Sequence, residues 1–279
     1  LHSTSRRQRQ MCIRDSGKTA LSVALAKRFG GEIISADSMQ IYQGLDVGTA
    51  KVTPEEMQGV PHHLVGFLAP EQAFSVADFT TLAGKTITQL TAQGKLPLVV
   101  GGTGLYITSL LNGIGFTPEK VDPAIRQELQ ARLQAEGSQA LYAELAAVDP
   151  GYAAKVHPNN TPRVIRALEL YRATGRKMSA EREAARPAEK PYRSLCLCLT
   201  CRDRTLLYQR IDTRCDRMMQ SGILEEAKQV YDHRDTYRTA AQAIGYKEFF
   251  PYFEGTADLE SCLAHLKPVS YTHLRAHET

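Results

Sequence analysis

Apolar positions recur at helical spacing soon after Lys18, at Leu21, Ala24, Leu25 and Phe29, and Gly30-Gly31 closes the run as a helix C-terminus does. Glu32-Ile33-Ile34-Ser35 is short and β-branched, which predicts a buried strand. Ser75-x-x-Asp78 has the form of a capping box and opens a helix predicted to reach Gln93. Leu96-Pro97-Leu98-Val99-Val100 predicts a second buried strand, and Gly101-Gly102-Thr103-Gly104 turns the chain into a helix over Leu105–Leu111. Strand–turn–helix units of this kind specify α/β architecture: a parallel, doubly wound sheet with flanking helices.

Between about 115 and 191 the texture changes. Strand signals vanish and helical spacing dominates, at Ile125, Leu129 and Leu133, at Leu141 and Leu145, then at Val164, Leu168 and Tyr171. This predicts a helical insertion. Beta character returns at Ser194–Thr200, followed by helices over Arg204–Gly222 and Leu224–Tyr231. The expected organisation is a discontinuous core, 16–114 and 192–267, interrupted by the insertion 115–191. Residues 1–15 and 268–279 carry no periodicity and resemble non-native sequence, so they are kept out of the fold argument.

Composition narrows the classes. With 279 residues, 43% hydrophobic and 23% charged, the chain has a globular balance that excludes wholesale disorder. No apolar run approaches the roughly 18–20 residues needed to cross a membrane. The net charge of +4 says little about partners. Six cysteines in a chain this long do not form a disulfide framework, and no signal-peptide apolar region is present, so the expected location is the cytoplasm. Cys196, Cys198 and Cys201 read as small buried residues of a core strand, since no further ligand follows at metal spacing. His62 and His63 adjoin and should point apart.

The chemistry is suggested by Ser16-Gly17-Lys18-Thr19 ahead of a helix. A phosphate-binding loop needs small residues so that backbone N–H groups can face an anion, a Lys to reach the phosphates, and a Ser or Thr to hold Mg²⁺. The pattern G-x-x-x-x-G-K-[ST] is incomplete, because its first Gly falls on Cys12, and no strand signal precedes it. Asp37 stands at the tip of the first strand, where ligands bind in open parallel sheets. It suits a base or an indirect metal ligand, and equally a turn cap.

The runs GKTALSVALAKRFGGEIISADSMQIYQGLDVGTAK, PHHL and GKLPLVVGGTGLYI, with RVIRALELYRATG and QAIGYKEF further on, closely resemble the bacterial tRNA dimethylallyltransferase family. The likeness spans about Ser16 to Lys267. It implies a P-loop NTPase-like core and transfer of a dimethylallyl group from its diphosphate to the exocyclic amine of the adenosine just 3′ of the tRNA anticodon. It implies that Ser16, Gly17, Lys18, Thr19 and Arg214 hold the diphosphate, with Mg²⁺ on Thr19. Asp37 would be the base, and Thr103 a second catalytic residue contacting adenosine or diphosphate. The tRNA-contacting positions implied are Asp37, Ser38, Met39, Gln40 and Thr103, then Arg126, then Pro162, Arg163, Val164, Ile165 and Arg166, then Gln242, Ala243, Ile244, Gly245, Tyr246 and Lys247. Pro162 stands where the family often has Gln. The family also continues beyond Lys267 with a basic helix. The expected partners are the tRNA anticodon stem-loop and dimethylallyl diphosphate, with no membrane, and the chain is expected to be a monomer.

A charge count supports RNA. Residues 160–186 hold seven basic side chains (Arg163, Arg166, Arg172, Arg176, Lys177, Arg182, Arg186) against three acidic ones (Glu169, Glu181, Glu183). Two rival readings remain at this point. One is prenyl transfer to free adenine nucleotides, against which the long basic insertion argues. The other is an inactive RNA-binding fragment, suggested by Cys12 and the two tails.

Overall fold

The computed structural model describes residues 17–114, 122–185, 190–199 and 203–266. Two compact units divide the chain, one formed by 1–110 with 194–279 and the other by 111–193.

In the first unit, helix α1 (Lys18–Phe29) stops at Gly30, whose left-handed backbone (φ 61°) returns its N–H to the Ala26 carbonyl. Strand β1 (Gly31–Ser35) follows at once. A short helix α2 (Pro54–Met57) and a two-residue strand β2 (His62–His63) come next. Helix α3 (Val76–Ala92) opens on the anticipated capping box. The Ser75 hydroxyl accepts from the Asp78 N–H, and the Asp78 carboxylate accepts from the Ser75 N–H. Strand β3 (Leu96–Val100) leads into helix α4 (Gly104–Leu111).

Among the described residues the sheet has the order β2-β1-β3 and is parallel throughout. Gly31 through Ser35 pair with Leu96 through Val100 in unbroken register. Ile33 and Ile34 are both buried, and Ile33 packs with Val23 and Ala26 of α1. The face of α1 read from the sequence is not the buried one: Leu21, Ala24 and Phe29 are exposed and Leu25 is half-buried. A side chain at Gly31 would meet the Leu96 carbonyl at 2.5 Å, so this strand start requires glycine for space.

The second unit is helical. It comprises α5 (Pro123–Glu136), α6 (Ser138–Val148), α7 (Pro150–Ala153), α8 (Thr161–Thr174) and α9 (Met178–Ala184). Its core joins Leu129 of α5, Leu141 and Leu145 of α6, and Val164, Ile165 and Leu168 of α8. The buried Asp149 carboxylate accepts from the Tyr152 and Ser179 N–H groups, so one acid caps α7 and also holds the start of α9.

The chain then completes the first unit with α10 (Arg204–Gln220), α11 (Ile223–Asp232) and α12 (Phe250–Phe253). These enclose a second core with Ile41, Tyr42 and Leu45, which follow β1. No helix among the described residues is long and apolar enough to cross a membrane.

A further expectation fails. Residues 194–199 have no ladder partner among the described residues, and Leu195 and Leu197 are 85% and 62% exposed. Cys196 and Cys198 are exposed as well, so they are not buried strand residues. Alternating apolar residues fit a strand, but a strand forms only against a paired edge. Cys201 lies outside the described residues.

Candidate functional site

A single residue, Gly30, reverses the chain between α1 and β1. The helix is about 18 Å long from its residue count and the strand roughly 16 Å. The helix start therefore returns to the carboxyl end of the sheet. Gly17 caps it with φ 79°, Lys18 is half-buried, and Thr19 is exposed on the first turn. Ser16 lies outside the described residues. The N–H groups of such a first turn, with a Lys beside them, suit an anion.

Asp37 stands two residues beyond β1. Its Oδ1 accepts from the Met39 N–H at 2.9 Å and the Gln40 N–H at 3.3 Å. This is an Asx turn, so the capping role anticipated for Asp37 is present. Both bonds go to Oδ1, which leaves Oδ2 outside the turn. Thr103 reaches the same place from β3. Its N–H donates to the Ala36 carbonyl at 3.1 Å, and its Oγ1 accepts from the Ser38 N–H at 3.0 Å. The same hydroxyl lies 3.3 Å from the Ser38 Oγ. The two strand ends can close this far because position 101 is glycine. A Cβ there would stand 2.2 Å from the Ala36 carbonyl oxygen.

Tyr106 of α4 belongs to the core. It is 5% exposed and stacked on Phe79 with centroids 4.3 Å apart. Burial pushes its phenol well above the ordinary range, and the charges of Tyr42, Asp37 and Asp78 push the same way. Arg214 sits on α10 with its Nη2 screened from solvent.

Gln40 is drawn away from free recognition. Its Nε2 donates to the Ala50 carbonyl at 2.9 Å, and Ala50 is held with φ 47°. That strained turn needs outside support, which comes from a residue the sequence did not flag. The Glu226 carboxylate accepts from the N–H groups of Asp46, Val47 and Gly48 at 2.8, 2.9 and 3.0 Å. The Tyr246 hydroxyl donates to the same carboxylate. Gly48 has no room for a side chain because the Tyr246 ring lies against it, 2.2 Å from a virtual Cβ. Glu226 thus ties the loop after the Asp37 turn to the Gln242–Lys247 segment. The sequence signal for it was weak: one of two adjacent acids in the first turn of a helix.

Burial divides the implied RNA-contact positions into exposed and enclosed ones. Val164 and Ile165 are 1% and 8% exposed and belong to the helical core, so Pro162, Arg163 and Arg166 are the exposed members of that stretch. Ala243, Gly245 and Tyr246 are buried and Ile244 is half-buried, leaving Gln242 and Lys247 exposed. Ser38 and Met39 are half-buried, with Met39 packed on the core. Arg126 is exposed and paired to Glu169. The charge count is also reduced: Arg172 pairs with Glu128 and Glu144, which lie outside the counted window, and Arg176 pairs with Glu181.

His62 and His63 occupy successive positions of β2 and so face opposite sides. The His63 Nε2 meets Glu32 Oε2 at 2.6 Å, and Lys95 pairs with the other Glu32 oxygen. Lys95 and His63 hold the Glu32 carboxyl below its usual range. Among the described residues no group of three His, Cys, Asp or Glu side chains is arranged for a metal. Mg²⁺ asks for less: hard oxygen donors, with substrate phosphates and water completing its shell. The Thr19 hydroxyl is a donor of that class, exposed on the first turn of α1 at the carboxyl end of the sheet.

A parallel sheet whose leading helix opens on Gly-Lys-Thr, with an acid and a hydroxyl at its carboxyl end, defines a P-loop NTPase-like α/β protein. Comparison with known proteins narrows this. The family model described as IPP transferase matches residues 40–273, and one described as isopentenyl transferase matches 13–65. The tRNA dimethylallyltransferase of Bacillus subtilis is 49% identical over 251 residues, 90% of this chain and 79% of its own length. The full-length tRNA isopentenylpyrophosphate transferase of Bacillus halodurans superposes with a TM-score of 0.67 at 44% identity, over 94% of this chain and 82% of that one. A eukaryotic dimethylallyltransferase acting on tRNA gives 0.78 at 30% identity, over 94% and 66%. The chain belongs to the IPP transferase family.

Proposed function

We infer that this protein transfers a dimethylallyl group from dimethylallyl diphosphate to the exocyclic amine of an adenosine in tRNA, next to the anticodon. Family membership supports the reaction class. The observation that carries the chemistry is the joined strand ends, which set Asp37 with one oxygen tied down and the other turned out of its turn.

In this reading the amine nitrogen attacks the allylic carbon as its bond to the diphosphate oxygen breaks. The diphosphate leaves with the bonding electron pair. Asp37 Oδ2 takes the proton from the nitrogen, and Thr103 fixes the carboxylate's position through Ser38. A weakly nucleophilic adenine amine needs that positioned base. Lys18 and the first N–H groups of α1 stabilise the charge growing on the leaving group. Mg²⁺ held by Thr19, when bound, supplies further charge neutralisation there. Arg214 contributes a second cation from α10. The target base must leave its stack, which an unpaired loop allows. The exposed Arg163, Arg166 and Lys247 serve the RNA backbone.

Replacing Asp37 with Asn tests the assignment. It keeps the Oδ1 turn and removes the base, so kcat should fall by about 10²–10⁴-fold while diphosphate affinity stays within about twofold. Equal loss of both would mean that Asp37 builds the site instead of acting in it.

A further inference from the structure

A carboxylate withdrawn from water must be compensated by paired charge and hydrogen bonds. In the helical unit Glu169 is such a group. Its side chain is 5% exposed, on the same stretch of α8 that buries Ala167, Leu168 and Leu170. Two arginines from separate helices meet it. Arg126 of α5 places Nε 3.0 Å from Oε1 and Nη2 3.0 Å from Oε2. Arg166, one turn earlier on α8, places Nη1 2.9 Å from Oε2.

The exposure is lopsided: the acid is hidden, while the Arg126 and Arg166 side chains are 52% and 48% exposed. One acid against two cations leaves a surplus positive charge. The same unit shows what a purely structural network looks like. There Arg132 and Arg172 are only 28% and 25% exposed, and three acids, Glu128, Glu136 and Glu144, surround them. Each guanidinium offers five N–H groups in a rigid plane. Arg126 spends two on Glu169 and Arg166 spends one, so both planes are oriented with donors to spare.

We propose that Glu169 is a positioning residue for RNA binding: from beneath the surface it locks Arg126 and Arg166 into a preformed fork for one backbone phosphate. Guanidinium planes match phosphate oxygens in pairs, and a side chain already held loses less rotamer freedom on binding. This rests on the tRNA reading above, and it assigns to a buried acid a part in binding a polyanion.

That sign makes the test sharp. Glu169→Gln in the full chain adds a unit of positive charge, and simple electrostatics then expects tighter RNA binding. The proposal expects the reverse. The Kd for an anticodon stem-loop RNA rises about tenfold, the loss appears in KM rather than kcat, and Glu169→Asp restores part of it. Placed in an Arg126→Ala/Arg166→Ala background, Glu169→Gln should cause no further loss. Arg126→Lys keeps the charge, loses the fork and leaves the buried acid paired, and it should weaken binding at an unchanged melting temperature. It therefore decides the matter if Glu169→Gln does not fold. Binding by folded Glu169→Gln as tight as the parent, or full affinity in Arg126→Lys, overturns the positioning role. If the double arginine variant binds RNA normally, RNA does not use this face, and the tRNA-contact reading of these arginines falls together with the role of Glu169.

Discussion

Glu226→Ala is the most informative perturbation of the candidate site outside its catalytic residues. The carboxylate is the common acceptor for three successive backbone N–H groups and the Tyr246 hydroxyl. A hydrogen bond to a charged group contributes about 1.5–3 kcal/mol when shielded. Here the Asp46 bond is exposed and the Val47 and Gly48 bonds are half-buried, so water takes over much of the loss. A reasonable net cost is about 2–4 kcal/mol, well below the sum for four shielded bonds. For a chain of this size that lowers the melting temperature by roughly 4–15 °C. The local effect should be larger than the global one. Ala50 is held in a left-handed conformation beside the released loop, and Gln40 grips its carbonyl.

Glu226→Gln sharpens the reasoning. Donors face both carboxylate oxygens: Asp46 and Val47 face Oε2, and Gly48 with Tyr246 faces Oε1. An amide has one acceptor oxygen, so one side of the clamp must open. Hydrogen exchange at amides 46–48 is the assay. Both variants should lose protection there by at least tenfold while strand β3 keeps its own. Wild-type protection at those three amides in Glu226→Ala would refute the clamp.

Gly101→Ala should cost about 1–3 kcal/mol, as overpacking does, and remove most transfer activity, because the new methyl would meet the Ala36 backbone and part the two strand ends; parent-like melting and turnover would contradict it. Glu32→Gln should flatten the acid side of the stability profile. Lys95 and His63 hold the Glu32 carboxyl below the ordinary carboxylate range, so its stabilisation is present above that range and fades as pH falls through the depressed value. Melting curves from pH 6 to pH 3 should show a shallower decline in the variant, and parallel curves would remove Glu32 from the account.

Much of the first unit was legible because its signals are local. Gly30-Gly31, the Ser75–Asp78 box and the β-branched Ile33-Ile34 each specify their element within a few residues. The juxtaposition of Asp37 with Thr103 was implied by two motifs and by resemblance, whereas its physical cause, the bare backbone at Gly101, became visible only in three dimensions. What stayed hidden depends on distance in sequence. Glu226 acts on residues about 180 positions away, and nothing in its own helix announces that. Arg172 counted as free charge until its partners on two other helices were known. Val164 and Ile165 lie inside a motif, and helix phase alone turns them inward while Arg163 and Arg166 stay out. Residues 194–199 carry strand chemistry without the pairing that would make it a strand.

The central claim is that this chain prenylates an adenosine in RNA. The most direct measurement is transfer of labelled dimethylallyl from its diphosphate, with Mg²⁺, to an anticodon stem-loop RNA, with free AMP and ATP in parallel. The account predicts label on the exocyclic amine of the adenosine 3′ of the anticodon, none on the free nucleotides, and loss of transfer in Asp37→Asn. Label on AMP, or RNA binding without any transfer, would contradict it.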